Sequence, residues 1–424
     1  MSLQRRDFLK ALGLASAAAL AGCASGTPRG AAHVVVVGGG FGGATAAKYL
    51  RKWSQGGVRV TLVEQDPSFI SCPISNLVLS GDKTVDDLTV SYAGLRDRWG
   101  VRVLQDRALA LDPVKRTLRL AQGGELAYDR IVLSPGVDFL WDQVPALNNA
   151  EAQARFPHAW KAGPQTLQLR QQLQAMKDGG VFAITIPKAP YRCPPGPYER
   201  ASLVAHYLKR HKPRSKLLVL DANEDIVSKK GLFLKAWSDL YPGLLEYRPN
   251  SELRDVDVRT SSAMLEFDQV RADVLNVIPP QRAGAIAAAA GLKLINGRWV
   301  EVDWLSLESV NTPGVHVLGD AIFAAPAMPK SGHMANQQAK LAAAAILNLL
   351  AGEAPNPAPV LMNTCYSFVD DREAIHVASV HQYDAEKKTV LPVQGAGGLS
   401  SARSELEGQL ALAWAKNIWA DALA

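Results

Sequence analysis

Cysteine is scarce in this chain, with four among 424 residues, at positions 23, 72, 193 and 365. No Cys-x-x-Cys-His occurs, which excludes covalently attached haem, and no group of cysteines is clustered for iron and sulfur. The formal net charge is only +6 and scattered, and no basic stripe interleaved with aromatics points to nucleic acid. Beyond the N-terminal region no hydrophobic run reads as a transmembrane segment. A second glycine-rich nucleotide fingerprint is also missing. In its place stands Ile186-Pro-Lys-Ala-Pro-Tyr-Arg-Cys193-Pro-Pro-Gly-Pro-Tyr-Glu199, a cysteine in a proline-rich loop.

The N-terminus opens with Gln4-Arg5-Arg6-Asp7-Phe8-Leu9-Lys10 and a weakly apolar, Ala-rich stretch, the pattern of a twin-arginine export signal over residues 1–30. Its Arg5, Arg6 and Lys10 against Asp7 supply +2 of the formal charge, leaving about +4 for the rest. Leu20-Ala-Gly-Cys23 fits either a lipoprotein box with a lipidated Cys23, which could tether the protein to a membrane, or a small-residue cleavage site. The expected location is the periplasm. That compartment is oxidising, so the three remaining cysteines can form one disulfide and must leave one thiol over.

The fold class expected is α/β: two Rossmann-like doubly wound nucleotide-binding domains and a C-terminal α+β domain. The first would be discontinuous, over 31–145 and 284–354, with the second at 146–283 and the third at 355–424, where it would cover the cofactor and meet a partner. His33 to Val37 is a β-branched strand, Gly38-Gly-Gly-Phe-Gly-Gly43 a turn, and Ala44 to Trp53 a helix. Gly38 permits the turn, Gly40 lets backbone approach a pyrophosphate, and Gly43 allows close packing of the helix. A second strand ends at Glu64, placed to bind ribose hydroxyls. The dinucleotide expected is FAD. Ile131-Val-Leu-Ser-Pro-Gly136 resembles the strand-to-turn element of two-domain flavoproteins. Val315-His-Val-Leu-Gly-Asp320 resembles their late strand, whose acid takes a ribityl hydroxyl. Pro329-Lys330-Ser331-Gly332 then opens a helix, so Lys330 is expected to face the pyrimidine end of the flavin.

Gly180 to Ile186, Ala201 to His211 and Lys216 to Asp221 read as strand, helix and strand of the second unit. Its prolines remove the amide donors that a pyrophosphate needs, so no nicotinamide cofactor is expected. His376 and His381 lie five apart on an expected strand and fall on opposite faces, so no metal site is expected. Trp414 and Trp419, on a C-terminal helix, could pack against a partner or a membrane surface, or cover the protein's own sheet.

The segments Ala189-Pro-Tyr-Arg-Cys-Pro-Pro-Gly-Pro-Tyr-Glu-Arg-Ala201, Asn363-Thr-Cys-Tyr-Ser367, Ile278-Pro-Pro-Gln-Arg-Ala-Gly284, Met328-Pro-Lys-Ser-Gly332 and His158-Ala-Trp-Lys-Ala-Gly163 closely resemble the flavoprotein subunit of flavocytochrome c sulfide dehydrogenase. The resemblance covers almost the whole chain. It implies a Cys193–Cys365 disulfide above the flavin, open to attack by hydrosulfide, and a c-type cytochrome subunit that carries haem and accepts electrons. It also implies that Cys72, in Phe69-Ile-Ser-Cys-Pro-Ile-Ser-Asn76, bonds covalently to the FAD, with Asn76 nearby on the cofactor. Pro73 departs from the family pattern. Glu199, six residues after Cys193, could take the proton of hydrogen sulfide. As a mere staple the disulfide would close a loop of roughly 170 residues, worth about 5 kcal/mol. Two other functions fit the same residues: a membrane-associated sulfide:quinone oxidoreductase, and a non-catalytic flavin-binding partner of a cytochrome.

Overall fold

Val34 to Val37 are buried on both faces of their strand, as expected at the centre of a parallel sheet rather than at its edge. The computed structural model describes residues 30–424; the twin-arginine stretch and Cys23 lie outside them. Along the chain the first unit supplies β1 (His33–Val37), α1 (Phe41–Trp53), β2 (Arg59–Glu64), β3 (Arg102–Gln105) and β4 (Arg130–Leu133). The next supplies β5 (Val181–Ile186), α2 (Gly196–His211), β6 (Lys216–Asp221), α3 (Lys230–Leu240), β7 (Leu245–Arg248) and β8 (Val274–Val277). The chain then returns as β9 (Val315–Val317) and α4 (Gly332–Ala351), and ends in β10 (Val360–Phe368), β11 (Ala374–Asp384), β12 (Thr389–Leu399) and α5 (Glu405–Leu423).

Two parallel sheets organise these elements, in the orders β9-β4-β1-β2-β3 and β7-β6-β5-β8. Strand order in the first reverses direction about β1, and in doubly wound sheets ligands bind outside the carboxyl ends of the strands at such a point. The third sheet, β10-β11-β12, is antiparallel and sits against α5. The fold is therefore the α/β arrangement of two Rossmann-like units with a C-terminal α+β part. The last helix is tied back to the first unit: Tyr49 Oη donates to Asp421 Oδ1 at 2.6 Å and Lys48 Nζ to the Ala420 carbonyl at 2.9 Å.

The glycine turn works as its spacing implies. Gly38 has φ +95° and lies so close to the β4 turn that a side chain would strike the Ser134 carbonyl; at Gly43 an added Cβ would fall 1.7 Å from the Gly38 carbonyl oxygen. One boundary differs from expectation. α2 begins at Gly196, not Ala201. Pro195 and Pro197 fall at the helix entrance, where the missing amide hydrogens have no intrahelical partner to lose. Glu199 therefore sits in the first helical turn. His376 and His381 do not form a pair: His381 is fully buried, while His376 engages Ser400 and Glu407. Trp414 and Trp419 pack onto the protein's own core, and Trp419 Nε1 donates to Ser71 Oγ at 2.9 Å.

Gly43→Ala should lower the denaturant midpoint, since overpacking costs about 1–3 kcal/mol. Gly40→Ala, where a Cβ meets nothing within 4 Å, should leave it nearly unchanged. Equal stability of the two variants in urea titrations would refute this packing argument.

Candidate active site

A cavity of about 320 Å³ runs from the glycine turn to the C-terminal sheet and is lined by all three cysteines of the described residues, Cys72, Cys193 and Cys365. Its nucleotide end carries Gly40, Glu64, Gly136 and Asp320. Gly40 leaves its surroundings open, as a close backbone approach to a ligand requires. Glu64 accepts from the backbone amides of Gly39 and Asp66, which fixes its carboxylate at the strand end. Asp320 Oδ1 is buried with no hydrogen-bond partner, an acceptor aimed at a donor that the protein does not supply. Burial raises its carboxyl above the usual range, against the pull of Arg192 and Lys330. These residues fit FAD: an open glycine for the pyrophosphate, an acid for the ribose and an unsatisfied carboxylate for a ribityl hydroxyl.

Lys330 corrects one expectation, because its side chain does not line this cavity. The ammonium donates to the Asp320 and Ile322 carbonyls and lies 3.8 Å from the centre of the Trp299 ring. Burial pushes its pKa down to about 7. Its contribution to the cavity is by backbone: the Lys330 carbonyl accepts from the Cys193 amide at 2.8 Å. The start of α4 faces the cavity through Ser331, Gly332 and His333 instead, with Ser331 capping the helix by accepting from Met334 N.

Each cysteine arrives on a different element. Cys72 is on the loop before a short helix at Asn76–Ser80; Cys193 enters in a left-handed conformation (φ 58°) before α2; Cys365 is on β10. A side chain at Gly196 would contact Cys193 Sγ at 2.8 Å, so the glycine leaves room for the sulfur. Cys365 Sγ exchanges hydrogen bonds with the Asn363 amide, at 3.3 and 3.5 Å. All three are free thiols here, so the expected Cys193–Cys365 bond is not formed in this structure. Burial raises both thiols' pKa, Cys193 further through Cys365 and Glu199, whereas Lys229 and Asn363 draw Cys365 back.

Glu199 is buried between these groups. Oε2 accepts from Asn76 Nδ2 at 2.8 Å and Oε1 from the Phe368 amide at 2.9 Å. Asn76, expected on the cofactor, lines the cavity but its amide is engaged on both sides, since its Oδ1 accepts from Arg200 Nε at 3.1 Å. Arg200 in turn donates to the His158 and Ala159 carbonyls and stacks on Trp160 at 4.9 Å. The sequence reading missed Trp160, Arg192, Arg200 and Lys229. The first three lie in segments already singled out, His158–Gly163 and Ala189–Ala201. Lys229 carries no such signal. Among the described residues, Asp82, His206 and Asp371 have the spacing of metal ligands, but the Arg210 guanidinium lies 3.2 Å from His206 and 3.4 Å from Asp82, where it opposes a second cation.

Comparison with known proteins bears on this geometry. The family model described as "Sulfide dehydrogenase (flavocytochrome c) flavoprotein chain, central" matches residues 166–279, and "Flavocytochrome c sulphide dehydrogenase, flavin-binding" matches 357–423. A pyridine nucleotide-disulphide oxidoreductase model matches 32–171. The sulfide dehydrogenase flavoprotein chain of Chlorobaculum thiosulfatiphilum is 59% identical over 49 residues, 12% of this chain and 100% of that sequence. The chain belongs to the flavocytochrome c sulfide dehydrogenase flavoprotein family. More distant relatives of this family member include the mitochondrial sulfide:quinone oxidoreductases of Mus musculus and Dictyostelium discoideum, each 24% identical over 68% of this chain. The matches span 65% and 64% of those relatives' length. Among solved structures, the sulfide:quinone oxidoreductase of Aquifex aeolicus shares the fold with a TM-score of 0.74 at 18% identity, covering 92% of each chain. Putidaredoxin reductase in its putidaredoxin complex gives 0.64 at 16% identity, over 91% of this chain and 93% of that one.

Burial raises the Glu199 carboxyl above its ordinary range, against the Phe368 amide, Asn76, Lys229 and Arg200. The unfolded chain then releases this proton before the folded one does. The stability it contributes is complete below the ordinary value of about 4 and is lost as pH rises through the folded value. Glu199→Gln cannot ionise, so its unfolding free energy relative to the parent should increase between about pH 4 and pH 7. Urea titrations at both pH values test this, and a difference independent of pH would contradict it.

Proposed function

We propose that this protein is a flavin-dependent sulfide dehydrogenase, and the observation that carries the reading is three cysteines and a buried carboxylate on a single cavity. In the oxidised protein Cys193 and Cys365 form a disulfide. Glu199 accepts the proton of hydrogen sulfide, and the resulting hydrosulfide attacks disulfide sulfur, leaving one cysteine persulfidated and the other a thiolate. Gly40, Glu64, Gly136 and Asp320 would hold FAD, with Cys72 the residue that would carry a covalent link to it. Bound there, FAD supplies a two-electron acceptor beside the cysteine pair. Trp160, Phe368 and Trp414 add apolar wall to the cavity that the thiols line.

The electrons leave to a separate c-type cytochrome subunit, which the family's name supports. Export by the twin-arginine route takes this chain to the periplasm, and lipidation of Cys23 is the route to a membrane. Among the described residues no helix is long and apolar enough to cross one. Quinone as acceptor is the second reading, favoured by the names of the Mus musculus and Dictyostelium discoideum relatives.

Sulfide should bleach the flavin absorbance of the purified holoprotein, and Cys193→Ser should slow this at least a hundredfold. Unchanged bleaching in that variant would remove the disulfide from the mechanism, and no bleaching of the parent would leave only a flavin-binding partner. Faster reoxidation by cytochrome c than by a soluble quinone is expected; the reverse order would favour the second reading. Acid precipitation should leave the yellow colour in the pellet and release it to the supernatant for Cys72→Ser. Colour in the supernatant for both would exclude the covalent bond.

A further inference from the structure

Lys229 belongs to a pair of adjacent lysines that reads as solvated surface, yet it is 4% exposed and holds a left-handed backbone (φ 58°) at the entrance to α3. Its side chain leaves the second unit and enters the C-terminal sheet. Nζ donates to the Cys365 carbonyl at 2.9 Å, to Ser367 Oγ at 2.8 Å and to the Ile375 carbonyl at 3.3 Å. Ser367 and Ile375 are paired residues of β10 and β11, so the ammonium sits across both strands. Its three hydrogens meet three neutral oxygens, none of which carries a counter-charge, and burial lowers its pKa to about 8, so it is a cation at neutral pH. A buried ammonium so placed favours any negative charge that develops nearby.

The ionisable groups facing it are those of the cavity. They are Cys365, Glu199 and Cys193, with Glu407 of α5 beyond them. Cys365 faces Lys229 and Glu199, and its Sγ accepts from Asn363 Nδ2. Cys193 faces Cys365, Glu199, Arg192 and Lys229. For Cys365 the largest influence after burial is the Lys229 cation; for Cys193 it is the charge of Cys365, followed by Glu199. The two sulfurs are thus electrostatically unequal.

We propose that Lys229 is a positioning residue that holds Cys365 on its strand and makes Cys365, rather than Cys193, the sulfur that carries the thiolate. The proposal deepens the sulfide-oxidation reading and rests on it for its use. Hydrosulfide forms a bond to Cys193 Sγ, the Cys193–Cys365 bond breaks, and its electron pair departs on Cys365 Sγ. Cys193 is left as a persulfide, and the proton of hydrogen sulfide is on Glu199. Exchange is faster when the leaving sulfur is the better stabilised thiolate, so a cation fixed beside Cys365 sets the direction of attack.

The test is the pH dependence of Cys365 alkylation by iodoacetamide in the reduced, full-length holoprotein carrying Cys193→Ser, followed by mass spectrometry of the Cys365 peptide. Lys229→Met should move the midpoint upward by at least about one pH unit, a tenfold loss of thiolate at a given pH below it. Lys229→Arg, which keeps the charge, should return the midpoint most of the way to the parent value. Lys229→Gln supplies the neutral variant with a hydrogen-bond donor should Lys229→Met fail to fold. An unmoved midpoint in a folded neutral variant would overturn the proposal, as would Lys229→Arg behaving like Lys229→Met. Sulfide bleaching of the parent with an unmoved midpoint rejects the role of Lys229 alone. A moved midpoint in a protein that sulfide never bleaches rejects the parent reading instead.

Discussion

A single buried carboxylate joins three separately formed parts of this protein. Glu199 stands in the first turn of α2, accepts from Asn76 of the first unit, and accepts from the Phe368 amide at the end of β10. A hydrogen bond to an ionised or strongly polar acceptor in a low-dielectric interior is worth more than one at the surface, and a missing partner costs more. The three segments must therefore close together for any of them to be satisfied. Their closure brings Cys72, Cys193 and Cys365 to one cavity, although nearly 300 residues separate the first from the last.

The proline-rich loop makes that geometry possible. A glycine fingerprint after β5 would direct backbone amides at a phosphate. Here the loop instead bends Cys193 into a left-handed conformation and anchors it through the Lys330 carbonyl, while Pro195 and Pro197 start α2 early enough for Glu199 to fall inside its first turn. The site where a second nucleotide would bind has thus become the floor of a thiol site. Burial disfavours every charge there, and the fixed cations Lys229, Arg192 and Arg200 counter it for the thiols and the acid.

The parts of this arrangement that depend on local pattern were legible in the sequence. Val34 to Val37, the glycine turn and Glu64 form a contiguous strand, turn and strand end, and the structure keeps them so. Asp320 likewise follows a recognisable strand. The parts that depend on side-chain direction were not legible. Lys330 lies where expected along the chain, but the carbonyls beneath it and the Trp299 face capture its ammonium. Asn76 lines the cavity, yet it is committed to Glu199 and Arg200. Lys229 is invisible in a one-dimensional reading, because only the packing of β10 and β11 against α3 turns an apparent surface lysine into a buried one.

The central claim is that Cys193 and Cys365 act as a two-electron couple beside a flavin. Anaerobic reductive titration of the oxidised holoprotein, followed by flavin absorbance and by thiol counting, measures this directly. The account predicts uptake of two electron pairs per chain, one by the flavin and one that exposes two new thiols on Cys193 and Cys365. Uptake of a single pair with no change in thiol count would contradict it.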